Sequence, residues 1–227
     1  MAGLRLWLDA TSLADGPLTT WPNRIMGVDA EPDATQPGSS IRPVVGTFDG
    51  RKGVQFDGTK WMTFAEGFEI WSGGLTFFLV ARFDAPALCT EIFQVSNGLE
   101  IDDISFQSDV MLDDPGVFHF EVATETLGTS PRVLGGLEPM LASVVMRPPD
   151  SASIFINTVP GNARSNDGFL PANVARTENF LGSGLYLNCD PFEGVIFELL
   201  LYNRGLSEAN VTLVSEYLQA KWGCCDG

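Results

Sequence analysis

Apolar positions along this chain recur mainly at every second residue. Residues 117–122 alternate cleanly. Phe118, Phe120 and Val122 fall on one side and His119 and Glu121 on the other, as successive strand side chains must. Residues 75–83 are apolar at nearly every position, the pattern of a strand covered on both faces. Residues 141–146, 151–157 and 195–202 read as further strands, with shorter ones at 4–8, 54–56, 61–64, 91–95 and 104–107. Turn-forming pairs such as Asp57-Gly58, Asn97-Gly98 and Pro160-Gly161 punctuate them. Many short strands with almost no helical period between them predict an all-β fold of two antiparallel sheets.

One segment breaks the rule. Ser207 can cap a helix, Glu208 suits its first turn, and Val211, Val214, Leu218 and Trp222 recur at helical spacing until Gly223 stops it. A short C-terminal helix resting on the sandwich is therefore expected. Residues 10–52 carry Pro17, Pro22, Pro32, Pro37 and Pro43 and read as one long irregular section, of the kind that forms rims or lids. No linker-like shift in composition and no repeat divides the chain, so residues 1–227 read as a single domain.

Composition narrows the function. Of 227 residues 44% are apolar and 19% charged, which excludes a disordered chain. Thirteen basic against 29 acidic residues leave a net charge of −16, so non-specific nucleic-acid or anionic-membrane binding is not expected. No apolar run reaches the roughly 18 residues that a membrane-spanning helix needs, so membrane insertion is not expected either. The chain enters its first strand directly after Met1-Ala2-Gly3, without a signal-peptide pattern. This reads as a complete protein without an export signal, or as one cut at a domain edge. Cys89, Cys189, Cys224 and Cys225 are too scattered for a disulfide scaffold and lack zinc spacing. The Cys224-Cys225 pair reads as a surface tail, or as bonded to Cys189 or to another chain.

Both ends carry a resemblance. The run Phe192-Glu193-Gly194-Val195-Ile196-Phe197-Glu198-Leu199-Leu200-Leu201-Tyr202-Asn203-Arg204-Gly205-Leu206-Ser207-Glu208 resembles the last strand and turn of concanavalin A-like, laminin-G-like jelly rolls. Tyr217 to Gly223 is similar to their terminal helix. Leu6-Trp7-Leu8-Asp9-Ala10, Trp21-Pro22-Asn23-Arg24 and Gly53-Val54-Gln55-Phe56-Asp57-Gly58 follow the same order. The resemblance implies a jelly-roll sandwich with one concave sheet. It also implies a ligand at that face or at the rim loops, often a glycan and in some members a calcium ion. The fold hosts lectins, hydrolases, lyases and shell proteins alike, so function must come from a site.

Three chemistries present themselves. Glu100-Ile101-Asp102-Asp103-Ile104 is similar to the E-x-D core of laminarinase-type glucanases, but the further glutamate of that motif is missing. Retaining cleavage needs two apposed carboxyl groups, so catalysis is not expected from this strand. His119 is the only histidine and shares a face with Glu121; no G-x-S-x-G or H-E-x-x-H accompanies it. Between Arg82 and Arg132 ten acidic residues have no cationic neighbour in sequence. Asp102, Asp103, Asp113 and Asp114 are the candidates for a calcium or similar site, with Asp9 and Asp57 second. Trp21, Trp61 and Trp71 lie in loop-rich segments and could stack on sugar C–H faces, while Trp7 and Trp222 fit core stripes.

These readings predict a non-catalytic recognition module for a glycan or cell-surface polysaccharide, with Trp21, Trp61, Trp71, His119 and Glu121 as ligand contacts and calcium as the candidate cofactor. A structural or decoration subunit of a virion or appendage, touching neighbouring subunits, is the alternative. A glycoside hydrolase or lyase stands third. The surface of a cell or particle is the expected location.

Overall fold

The computed structural model describes residues 2–84, 89–108, 117–122, 125–129, 138–149, 151–163 and 170–225. They form two antiparallel sheets stacked face to face, with one helix outside them. The sequence reading of an all-β sandwich with a C-terminal helix holds.

The long strands of the first sheet run in the order Ser151–Ile156, Met140–Arg147, Leu75–Phe83, Glu193–Tyr202, Arg51–Asp57 and Val44–Phe48. Leu4–Asp9 also pairs with Glu193–Tyr202. The second sheet runs Glu125–Thr129, Phe118–Val122, Ile104–Ser108, Thr90–Ser96, Glu178–Leu181 and Met62–Phe64, with short edge strands beyond. Among the described residues its one parallel pairing is Asp190–Pro191 against the start of Thr90–Ser96. The section 10–52 is less irregular than expected. Thr20–Trp21 and Ala34–Thr35 add edge strands to the second sheet, and Val44–Phe48 joins the first.

Between the sheets lies an aromatic core. Phe93 opposes Phe106, and Phe106 opposes Phe120, so three phenylalanines form one row across three strands. Phe77 from the facing sheet meets Phe93 and Phe106 at ring distances of 5.4 and 5.6 Å. Such rings bury large apolar areas and dominate the packing.

The helix Glu208–Trp222 lies on the outside of the first sheet. The Ser207 hydroxyl accepts the Asn210 N–H, and Gly223 ends it in the left-handed conformation (φ 56°), as its sequence forecast. Val214, Leu218 and Trp222 pack on Phe78, Val195 and Phe197. Glu198 is fully buried here and accepts from Trp7 Nε1, Trp222 Nε1 and Lys221 Nζ at 2.7, 2.6 and 2.7 Å. Three donors satisfy a carboxylate that burial alone would penalise heavily. Trp7 is thus half-buried and hydrogen-bonded, with the Arg24 guanidinium 4.6 Å from its ring.

The cysteines depart from expectation. Cys224 and Cys225 are buried against the helix end and bonded to each other, so they are not a surface tail. Cys189 is bonded to Cys89, tying residues 100 apart. No helix among the described residues is long and apolar enough to cross a membrane.

Candidate functional site

Thr90–Ser96 and Ile104–Ser108 are buried at every position, although only one face of each meets the aromatic core. The other face is polar. Register places Gln94 opposite Ser105 and Ser105 opposite Glu121, so these three share one row. Phe180 continues that row on the other side of Gln94. A bulge between Phe106 and Gln107 shifts the next row, where Gln107 stands opposite both Glu91 and His119. Strands about 4.8 Å apart therefore bring Glu91, Gln94, Ser105, Gln107, His119 and Glu121 onto one surface.

The hydrogen bonds tie this surface together. Gln107 Nε2 donates to Glu121 Oε2 at 3.0 Å and lies 3.1 Å from His119 Nε2. That imidazole nitrogen is 3.3 Å from Glu121 Oε1, and the tautomer decides whether it donates to Glu121 or accepts from Gln107. Asp103 comes in from the turn before Ile104–Ser108, and its Oδ2 accepts from the Tyr186 hydroxyl at 3.3 Å.

A strap of backbone crosses the acids. Leu185 N donates to Gln94 Oε1 at 2.7 Å, and Tyr186 N to Glu91 Oε1 at 3.3 Å. A Cβ at Gly184 would overlap the Glu91 carboxylate, so only glycine lets the strap lie this close. Beyond Tyr186 the Cys89–Cys189 bond anchors the strap to the strand that carries Glu91.

Burial reshapes the acids. It pushes the Glu91 carboxyl up to about 8 despite the Tyr186 N–H, with Asp103 and Glu121 adding repulsion. It pushes Asp103 up to about 7 against the favourable Gln94 amide, with Glu121 again raising it. Gln94 lies near Asp103 but closes no well-formed hydrogen bond through its Nε2. Two carboxyl groups that keep protons near neutrality, beside a third carboxyl, form the arrangement from which acid–base chemistry is built. Asp103 Oδ1, Ser105 Oγ, Gln94 Nε2 and Gln107 Oε1 are buried without a hydrogen-bond partner. Buried polar atoms are nearly always satisfied, so four on one surface mark a place for a ligand or ordered water.

The residues singled out in the sequence scatter. His119 and Glu121 sit in this cluster, but His119 is only 3% exposed rather than solvent-facing. Trp21 and Trp71 are both 0% exposed, so neither ring offers a face to a sugar, contrary to expectation. Trp71 Nε1 donates to the Phe68 carbonyl at 2.7 Å. Trp61 is half-buried, its carbonyl accepting from Gln36 Nε2. The aromatic residues that do reach the acidic face are Phe180 and Tyr186, both half-buried.

Glu100 and Asp102 do not share a strand face; both stand in the turn after Asn97 with positive φ. Asp102 accepts from Asn97 Nδ2 while Asp103 turns to Tyr186, so the two do not converge on one cation. Asp113 and Asp114 lie outside the described residues. Among the described residues no three or more His, Cys, Asp or Glu side chains converge as metal ligands would. Asp9 is held by Thr11, Arg24 and Lys221, and Asp57 by Thr59 and Lys60, so both are structural.

No family model matches the sequence, and no curated protein is similar to it. Solved structures are. Trypanosoma rangeli sialidase superimposes with a TM-score of 0.60 over 97% of this chain at 12% identity. Its complex with the inhibitor DANA gives 0.61 over 95% at 14%. A mutant NanB sialidase from Streptococcus pneumoniae gives 0.55 over 70% at 17%. The fold is a β-sandwich of the kind found in sialidases. The chain spans about a third of the length of the T. rangeli enzyme (33%) and 27% of NanB. These neighbours are enzymes, and that corrects the expectation of a non-catalytic recognition module. The sequence reading seeks the second carboxyl further along one strand; the structure instead gathers Glu91 and Glu121 from the strands on either side of Ile104–Ser108, and Asp103 from the turn before it.

Proposed function

We propose that this chain is a carbohydrate-processing domain that cleaves a glycosidic bond at the Glu91–Asp103–Glu121 face. The observation that carries the reading is the grouping of three carboxyl groups on one sheet face, two of them held protonated near neutrality. In the reaction the glycosidic C–O bond breaks, and its oxygen takes a proton from Asp103 or Glu91. A water molecule adds to the sugar carbon and yields its proton to Glu121, which Gln107 and His119 orient. The sialidase neighbours support carbohydrate processing, and the laminin-G-like ends support reading residues 1–227 as one jelly-roll domain with a glycan partner.

The test is turnover of oligosaccharides by the chain itself. Glu121→Gln removes the proton acceptor but keeps its volume, and should lower kcat by about a hundredfold or more. Equal loss in Asp103→Asn with an unchanged melting temperature would support the assignment. Full activity in both variants would sink it.

A further inference from the structure

An open pocket of about 670 Å³ lies where the strand Leu4–Asp9 begins and Glu193–Tyr202 runs out. Asn203 N donates to the Gly3 carbonyl and Gly205 N to the Gly73 carbonyl, so the segments around Gly3 and Gly73 both pair with the turn 203–205. No residue of the Glu91–Asp103–Glu121 face lines this pocket.

Its charges set its chemistry. Arg5 is committed, since its Nη1 donates to the Asp29 carbonyl at 2.6 Å and lies 3.3 Å from Asp29 Oδ1. With its amide oxygen toward Arg5, Asn203 accepts from Nη2 and Nε at 2.7 and 2.8 Å. Arg204 is not committed. Its stem lies flat on Gly3, where a Cβ would come within 2.6 Å of Arg204 Cδ. The residue is exposed, and its guanidinium makes no hydrogen bond or ion pair with a described residue. Every other Lys and Arg side chain among the described residues has at least one such partner. In a chain of net charge −16, the uncommitted cation therefore stands at this pocket. Glu31, whose charge also reaches Arg5, accepts the Phe68 N–H and does not line the pocket. Arg5 and Arg204 against Asp29 leave one positive charge on the lining.

The rest of the wall is apolar. Met26, Val28 and Ile70 line the same pocket, and all three are exposed. Apolar side chains in water beside an unpaired guanidinium gain from a ligand that covers them. A carboxylate matches the planar fork of arginine with two parallel N–H···O bonds. Its single negative charge also matches the one positive charge of the lining, whereas a phosphate monoester carries close to two. The volume is that of a small-molecule site.

We infer that this pocket binds a small monocarboxylate with an apolar body, the carboxylate on Arg204 and the body against Met26, Val28 and Ile70. The site is independent of the carboxyl face, and its failure would leave the catalytic reading untouched.

Chemical-shift titration of the isotope-labelled chain tests it, with acetate, butanoate, hexanoate and octanoate as probes. Shifts are expected at the Arg204 Nε–H and the Val28 amide, with affinity rising about threefold to fourfold per methylene. Octanamide and octylamine should bind at least about tenfold more weakly than octanoate. Arg204→Gln should lower octanoate affinity by at least about tenfold, and Arg204→Lys by less, because lysine keeps the charge without the fork. Both variants should keep the melting temperature, since the guanidinium holds no partner. Met26→Ser with Val28→Ser should flatten the rise with chain length. Equal affinity for octanoate and octanamide, or unchanged affinity in Arg204→Gln, would overturn the carboxylate assignment. Tighter binding of octyl phosphate would overturn the single-charge match. An apolar tetrapeptide with a free C-terminal carboxylate that binds more tightly than octanoate would overturn the small-molecule assignment in favour of a protein terminus. If no probe shifts Arg204 or Val28, the whole inference fails.

Discussion

At the scale of single residues, the site depends on what is small as much as on what is charged. Gly184 has no side chain, and the Glu91 carboxyl fills the space that a Cβ would need. Gly184→Ala must push the strap or the glutamate aside and break the contacts from Tyr186 N and Leu185 N. An overpacked position of this kind costs about 1–3 kcal/mol, to be read from denaturant unfolding. Activity should fall further than stability, because Glu91 is displaced from Asp103. Residue-level reading of the sequence singles out His119 and Glu121 as ligand contacts and Asp103 only as a cation ligand, and it does not single out Glu91, Gln94, Gln107 or Phe180. The reason is physical. Alternation tells which side of a strand a residue faces, but the partner across the sheet depends on register. Here one bulge at Phe106/Gln107 sets which residues meet. Trp21 and Trp71 were the wrong aromatic signal, since both fill the core that their loops close.

At the scale of elements, strands were the legible part. The sequence marks Leu75–Phe83, Phe118–Val122 and Glu193–Tyr202 nearly to the residue, because period two and full burial leave a strong imprint. The helix was equally plain from Ser207, its apolar spacing and Gly223. Short edge strands such as Ala34–Thr35 were not, since two residues carry no period. Nor was the strap, whose course is fixed by hydrogen bonds and a disulfide rather than by a pattern. The Cys89–Cys189 bond closes a loop of 100 residues in sequence. Loss of such a link removes about 4–5 kcal/mol in the chain-entropy account, whereas the Cys224–Cys225 bond closes almost no loop. Cys189→Ser should therefore lower the melting temperature markedly, and the double change Cys224→Ser with Cys225→Ser should lower it far less. Equal losses in calorimetry would contradict this.

At the scale of the whole molecule, buried acids link folding to pH. Glu91 and Asp103 have higher pKa values in the folded protein, about 8 and 7, than the ordinary 4.5 and 3.8 of an unfolded chain. The folded state therefore binds more protons between about pH 4 and pH 8. Stability is fully present below that window and is lost as pH rises through the folded values. The net charge of −16 works in the same direction by self-repulsion as carboxyl groups ionise. The melting temperature is expected to fall from pH 5 to pH 8.5, and Glu91→Gln with Asp103→Asn should flatten the curve. A stability that rises over this range would refute the buried-acid account.

The two strands bearing Glu91, Gln94, Ser105 and Gln107 have no exposed residue on either side. In deuterated solvent their amides should be the last in the chain to exchange, on the timescale of global unfolding. The outer turn of the strap, where Leu187 is 97% exposed, should exchange early. Among the described residues, any motion that uncovers the acids would then come from the strap, over an immobile floor.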